Sequence, residues 1–364
     1  MSTLITARRR IAISILLLAV AMTACATAGT SSTEPTGTGP GPSASAPAAT
    51  STPEPSMPVP PDALAEWTTA TIDLGGGPDM PTEAFGSLWV LTVDGPIMND
   101  GTEPSVNRID PATNEVIANI PLPGRLCQGI GASPEAIWAC GPDGLVRIDP
   151  ATNKAVATVQ LPAALVVSRI AYGAGSVWAF ATSGVGADTV VRVDPATNGV
   201  TTTIPLGRVA TGMAFGFDAL WVTSAADDLL LRLDPATDEV AEWATGLETP
   251  GCISIGADAI WVALRSEEHV ALEDGEATIA RIDPASGELT DSISTGPGES
   301  GGCVLATVDA IWYRAPEPFL SRIDPVTGKT TDRIDSIGGS GDVGFAFGSV
   351  WVTWERGAII RLDP

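Results

Sequence analysis

Basic side chains are scarce. Nineteen lysines and arginines stand against 43 aspartates and glutamates, a formal net charge of −24. A surface that grips phosphate backbones needs a basic stripe, so this balance argues against nucleic acid as a partner. It also argues against polybasic attachment to anionic lipid. Histidine is scarcer still: His269 stands alone in 364 residues. Chemistry that needs an imidazole titrating near neutral pH therefore has a single candidate. The apolar stretch "IAISILLLAVAM" is shorter than the roughly 20 residues a membrane-spanning helix needs. Long helical segments are lacking too, because 39 glycines and 30 prolines interrupt the chain and neither residue suits a helix interior.

What is present begins with an export signal. "MSTLITARRR" carries Arg8, Arg9 and Arg10, the apolar stretch follows, and "TAC" closes it. A charged start, a short apolar core and small residues make a cleavable leader. Met22-Thr23-Ala24-Cys25 resembles the bacterial lipobox, in which the cysteine becomes the lipid-modified first residue. Residues 1–24 are then a lipoprotein signal peptide, and Cys25 is the lipidation site. The expected location is the outer face of the bacterial cell membrane. An uncleaved anchor and an ordinary secreted protein are the alternatives. Residues 25–62 are almost entirely Ser, Thr, Pro, Gly and Ala, with no apolar period to bury, and read as a disordered tether. Residues 63–364 are left as the folded domain.

Two markers alternate through that domain. One is a small or apolar pair before tryptophan, at Trp89, Trp138, Trp178, Trp221, Trp261, Trp312 and Trp351. The other is Arg-apolar-Asp-Pro, with aspartates at 110, 149, 194, 234, 283, 324 and 363, spaced 39, 45, 40, 49, 41 and 39 residues apart. A period near 40 built from short β-branched segments is the signature of a β-propeller. Each repeat reads as four strands; "SRIAYG", "SVWAFA", "VVRVDP" and "VTTTIPL" are strands A to D of the third. The fold class is all-β, a seven-bladed propeller with four-stranded blades.

The "DPATN" and "DPASG" segments have a local cause. Aspartate accepts from amides just ahead of it, proline presets φ, and Asn or Gly tolerates a left-handed backbone. These aspartates are turn-formers before they are ligands. The tryptophans, recurring at one place in every repeat, read as core between blades. The seventh copy, "AIIRLDP", has no strand D after it, while "WTTATIDLGGGP" before the first strand A resembles a spare one. Residues 67–74 are expected to complete blade 7 and close the ring, which would account for the chain stopping at Pro364.

The tryptophan strands, the "RIDPATN" hairpins and the "ATIPL"-type fourth strands resemble the seven-bladed propellers of the virginiamycin B lyase and YncE-like group, over about residues 65–364. The resemblance implies the propeller. For the lyases it further implies elimination on a cyclic streptogramin with histidine, acidic side chains and magnesium. The segment nearest to the lyases' histidine strand is "ETPGCISIG", residues 248–256, and it has no histidine.

Long loops on a rigid ring are where function concentrates. "RSEEHVALEDGEAT" holds Glu267, Glu268, His269, Glu273, Asp274 and Glu276, and "LTVDGPIMNDGTEPSV" holds Asp94, Asn99 and Asp100. Glu268, His269, Asp274, Asp94 and Asp100 are candidate ligand or divalent-cation residues; the alternative is solvated acidic loops. No catalytic set and no resident cofactor or metal is assigned. "DLGGGPDMP" and "TGPGESGGC" lack a P-loop lysine and read as turns into inner strands. Four cysteines follow Cys25, and an even number in an exported domain suggests disulfides. Cys127–Cys140 and Cys252–Cys303 are the simplest pairs, with buried thiols the alternative. The preferred reading is a monomeric, non-enzymatic binding scaffold for an envelope protein, glycan or small molecule. A lyase-like enzyme with an altered site is the runner-up, and a quinone-cofactor dehydrogenase a distant third.

Overall fold

The computed structural model describes residues 66–93, 104–122, 128–142, 144–161, 166–182, 187–264, 276–297, 302–315, 320–334, 341–354 and 357–364. The regular elements among them are all β-strands. β1 is Thr68–Asp73. Blade 1 takes β2 (Gly77–Ala84), β3 (Ser87–Val93), β4 (Ser105–Asp110) and β5 (Glu115–Pro121). Blade 2 takes β6 (Ile130–Ala132), β7 (Ile137–Gly141), β8 (Gly144–Asp149) and β9 (Lys154–Gln160). Blade 3 takes β10 (Val166–Gly173), β11 (Ser176–Thr182), β12 (Thr189–Asp194) and β13 (Gly199–Pro205). Blade 4 takes β14 (Gly212–Gly216), β15 (Ala219–Ser224), β16 (Leu229–Leu233) and β17 (Val240–Thr245). Blade 5 takes β18 (Pro250–Gly256), β19 (Ala259–Leu264), β20 (Glu276–Ile282) and β21 (Leu289–Pro297). Blade 6 takes β22 (Cys303–Ala306), β23 (Ile311–Arg314), β24 (Leu320–Ile323) and β25 (Thr330–Ile334). Blade 7 takes β26 (Val343–Ala346), β27 (Ser349–Trp354) and β28 (Ala358–Leu362), and β1 is its fourth strand.

All seven sheets are antiparallel, and the first strand of each packs against the first strands of its two neighbours, from blade 1 round to blade 7 and back. The molecule is a seven-bladed β-propeller. The ring is closed by β1 on β28, with Thr71 opposite Ile360 and Ile72 opposite Ile359. Without β1 the apolar edge of β28 would be open to pairing with another chain.

Crowding at the centre explains the small residues of the inner strands. A Cβ on Gly256 would sit 2.6 Å from the Ala306 carbonyl oxygen, and one on Gly344 would sit 2.6 Å from the Pro81 ring. The second strands are buried throughout or in all but their last residue, whereas the outermost strands are largely exposed. The tryptophans lie in those second strands and are fully or almost fully buried. Each of six indole Nε1 groups donates to a residue five positions earlier, across the hairpin between the first two strands; Trp221 reaches Gly216 O at 2.9 Å and Trp138 reaches Ser133 Oγ at 3.0 Å. This satisfies the polar atom that burial would otherwise leave without water.

The third-to-fourth-strand hairpins follow their sequence. Asp149 Oδ1 accepts from Ala151 N at 2.9 Å, and Asn153 closes the turn at φ 55°. Equivalent turns close on Asn114, Asn198, Asp238, Gly287 and Gly328, all at positive φ. In five blades the arginine of the same motif lies over its own blade's second-strand tryptophan and grips the next blade's hairpin; in blade 4 Arg232 lies over Trp243 of the fourth strand instead. Arg108 lies 4.8 Å from the Trp89 ring and donates to Pro150 O at 2.7 Å and Asn153 Oδ1 at 2.9 Å. Arg147 and Arg192 repeat the grip on Pro195 and Asn198, and on Pro235 and Asp238. One motif thus supplies a core ring, a stacked cation and the acceptor for its neighbour.

Candidate functional site

The inner strands begin at the end of the ring where the loops between second and third strands also emerge. Charge converges there at the axis. Asp79 stands near the start of β2, where the register against β3 slips between Asp79 and Thr82. The slip places Met80 at φ 47°, and its amide is shared by two carboxylates from different blades. Met80 N donates to Asp79 Oδ1 at 3.1 Å and to Asp342 Oδ2 at 3.2 Å.

Asp342 precedes β26 and is held from behind. Its amide donates to Thr353 Oγ1 at 2.7 Å, and its carbonyl accepts from Thr353 N at 3.0 Å. Arg314, buried to 1% exposure, donates to Thr353 O at 2.6 Å. Gly341 makes room for this layer: a Cβ there would lie 2.7 Å from Thr353 O. Arg169, in blade 3, acts on both carboxylates.

The electrostatics split the pair. Burial and then the neighbouring Asp342 push the Asp79 carboxyl well above the usual carboxylate range. Burial would raise Asp342 also, but its hydrogen bond with Asp79, Arg169, the Met80 amide and Arg314 together hold it below that range. Of the two, Asp79 is thus the carboxyl that keeps its proton longer and Asp342 the one that ionises first, in the manner of a coupled dyad.

Cys252 and Cys303 are joined by a disulfide, Cα–Cα 5.1 Å, between β18 and β22 at the same axial end. Cys303 Sγ lies 3.2 Å from Asp342 Oδ1. Cys140, on β7, is also disulfide-bonded. Cys127 lies outside the described residues, as do Cys25, Asp94, Asp100, Glu268, His269 and Asp274. So do the leader and the tether proper. Among the described residues no group of three or more His, Cys, Asp or Glu side chains is placed to hold a metal ion. Near the Asp79–Asp342 pair, Arg169 already supplies opposing charge.

Asp79, Asp342 and Arg169 are absent from the sequence-level candidates. A signal was available: Arg169, Cys252, Cys303 and Asp342 each stand nine residues before their blade's tryptophan, and Asp79 stands ten before, with one residue taken up by the irregularity of β2. Aligning the blades on tryptophan brings these chemistry-bearing residues into one ring.

No family model matches the chain, and no curated protein matches it. Among solved structures it is similar to the crystal structure of the computationally designed Ika8 protein, with a TM-score of 0.56, 13% identity, and 78% of this chain and 83% of that chain covered. At that identity the likeness speaks for the fold alone.

Proposed function

We propose that this chain is a non-enzymatic binding scaffold, exported and tethered to the outer face of the cell membrane through a lipid on Cys25, taking an envelope protein, glycan or small molecule on the loop end of its ring. The observation that carries the reading is the convergence of Asp79, Asp342 and Arg169 on the axis of a rigid frame. Fixed charges of both signs on inner strands make a polar recognition point with little to reorganise on binding. Against catalysis in the lyase manner, the inner strand β18 carries no histidine and its Cys252 is bonded to Cys303. A disulfide sulfur is neither a general base nor a thiolate nucleophile.

The test is a pull-down of residues 63–364 against cell-envelope extract, with an Arg169→Ala/Asp342→Asn variant as control. A partner captured by the parent and lost from the variant supports the reading. Identical captures by both overturn it for this site. Offering the same preparation a streptogramin with magnesium tests the lyase alternative: turnover would replace the scaffold reading. For the tether, Cys25→Ala should release the protein or leave its precursor unprocessed. Unchanged retention with normal processing would remove the lipid anchor.

A further inference from the structure

The interfaces between inner strands are not all of one chemistry. From blade 4 to blade 5 the links are hydroxyls: Thr211 Oγ1 donates to Pro250 O at 2.7 Å, and Thr223 Oγ1 to Gly251 O at 2.7 Å. From blade 5 to blade 6 they are the Cys252–Cys303 disulfide and Ser254 Oγ accepting from Ala306 N at 2.9 Å. None of these titrates in the ordinary pH range. The seam between blades 7 and 1 differs. There Asp342 Oδ2 accepts from Met80 N at 3.2 Å, and in the opposite direction Glu83 Oε2 accepts from Phe347 N at 2.9 Å. Between these two links the backbones touch, with Gly344 against Pro81. Both described inner-strand links of this seam run through carboxylates; Asp228 Oδ1 also joins blade 4 to blade 5 by accepting from Thr249 N at 3.0 Å, but from the start of a third strand rather than from an inner strand.

We propose that this seam is a proton-operated latch: one proton held between Asp79 and Asp342 keeps the inner strands of blades 1 and 7 together at the loop end of the axis, and its loss drives them apart. Two carboxylates close enough to share the Met80 amide repel when both are ionised. The groups facing them are Arg169 from β10, Arg314 from β23, Thr353 from β27 and the disulfide sulfur of Cys303 from β22. The hydrogen bond with Asp79, then Arg169, the Met80 amide and Arg314, hold Asp342 down against its burial, and burial with the neighbouring Asp342 leaves Asp79 as the group that keeps the proton. A group whose folded pKa is raised contributes stability that is present below its unfolded value and is lost as pH rises through the folded one. Latch strength therefore falls with rising pH, starting above the ordinary aspartate range. The consequence at the loop end is a ring that is tighter in acid and looser in base, at the place where the proposed partner would sit.

The experiment compares thermal unfolding of the full chain with that of Asp79→Asn, which cannot ionise but keeps a donor toward Asp342. Midpoints are followed upward from about pH 4, the ordinary aspartate value, into the alkaline range, across which a raised carboxyl loses its proton. The difference between variant and parent should grow in the variant's favour by roughly 2–4 °C across that range. A difference that stays constant with pH overturns the latch. Should the variant fail to fold, the parent alone decides. Carboxyl-carbon NMR of Asp-labelled protein should show one aspartate titrating well above the rest. Hydrogen exchange at Met80 and Phe347, corrected for the intrinsic pH effect, should accelerate with pH relative to the blade 4 inner strand. All aspartates titrating in the ordinary range, with uniform exchange around the ring, would overturn it.

Discussion

Arg361 Nη1 donates to Asn114 Oδ1 at 3.0 Å and to Pro111 O at 2.6 Å, so the last blade grips the first with the same contact that Arg108 makes one blade on. The cation also lies 5.3 Å from the Trp351 ring. Arg322, among the described residues, has Asp332 at 3.9 Å and the Trp312 ring at 5.7 Å, both in its own blade. Arg361→Ala should therefore cost roughly 1.5–3 kcal/mol, as expected for charge-assisted bonds to half-buried acceptors. Arg322→Ala should cost about 1 kcal/mol or less. Denaturant unfolding of the two variants checks the order; equal losses would mean the grip across the seam adds nothing.

Ring closure by β1 predicts an asymmetry between two deletions. Removing residues 26–62 should leave the unfolding midpoint nearly unchanged, because that composition has little apolar surface to bury. Removing residues 26–75 strips β1 from β28 and bares Ile359 and Ile360 along an unpaired edge. The longer deletion should melt well below the shorter and aggregate on heating. Matching midpoints would show that β1 is dispensable to the ring.

The Cys252–Cys303 bridge spans 51 residues. Constraining a loop of that length in the unfolded chain is worth about 2–4 kcal/mol. Cys252→Ser/Cys303→Ser should lower stability by that order without changing the strand content seen by circular dichroism. Non-reducing peptide mapping should recover the two cysteines in one linked fragment. Recovery of both as free thiols in the native protein would refute the bridge.

The hairpin aspartates give the protein an acid limit. Asp149 is held below the usual carboxylate range by its hydrogen bond from Thr152 and then by the Ala151 amide, and Asp194 by the Ala196 amide and then Thr197. Asp234, Asp283 and Asp324 are lowered likewise by their own turn amides. A depressed folded pKa contributes stability above the unfolded value and loses it as pH falls through the folded one. Unfolding midpoints should thus drop below about pH 4, the ordinary aspartate value, the reverse of the trend from Asp79. An Asp194→Ala/Asp283→Ala variant should show a shallower acid limb; an unchanged limb would assign the acid loss to other groups.

Inner-strand crowding predicts which glycines matter. Gly256→Ala forces a Cβ to 2.6 Å from the Ala306 carbonyl oxygen, a backbone atom that cannot swing away. A cost of about 1–3 kcal/mol is expected. At Gly199 the nearest atom is the Thr197 hydroxyl at 3.2 Å, and Ala there should change stability by about 0.5 kcal/mol or less. Chemical denaturation of both variants separates the cases.

Much of this architecture is written locally and can be read without coordinates. The third-to-fourth-strand turn needs only Asp149, Pro150 and Asn153, because a carboxylate accepting two residues ahead and a terminal residue tolerant of φ 55° fix its shape within five positions. Repetition of that turn six times and of the buried tryptophan seven times sets strand number, blade number and period. Even the seam was legible, because "WTTATIDL" has the composition of a fourth strand. The site was not. Asp79 and Asp342 are separated by 263 positions, and nothing near either one says that both reach the Met80 amide. The first-to-second-strand hairpins also escape a local rule: Phe85 and Phe217 take φ 51° and 49°, where glycine or asparagine would be expected. Turns and periodicity are short-range, decided by a residue and its immediate neighbours. A shared proton between the first blade and the last exists only once the ring has brought the two ends of the chain together, and the burial that raises Asp79 belongs to that closed ring.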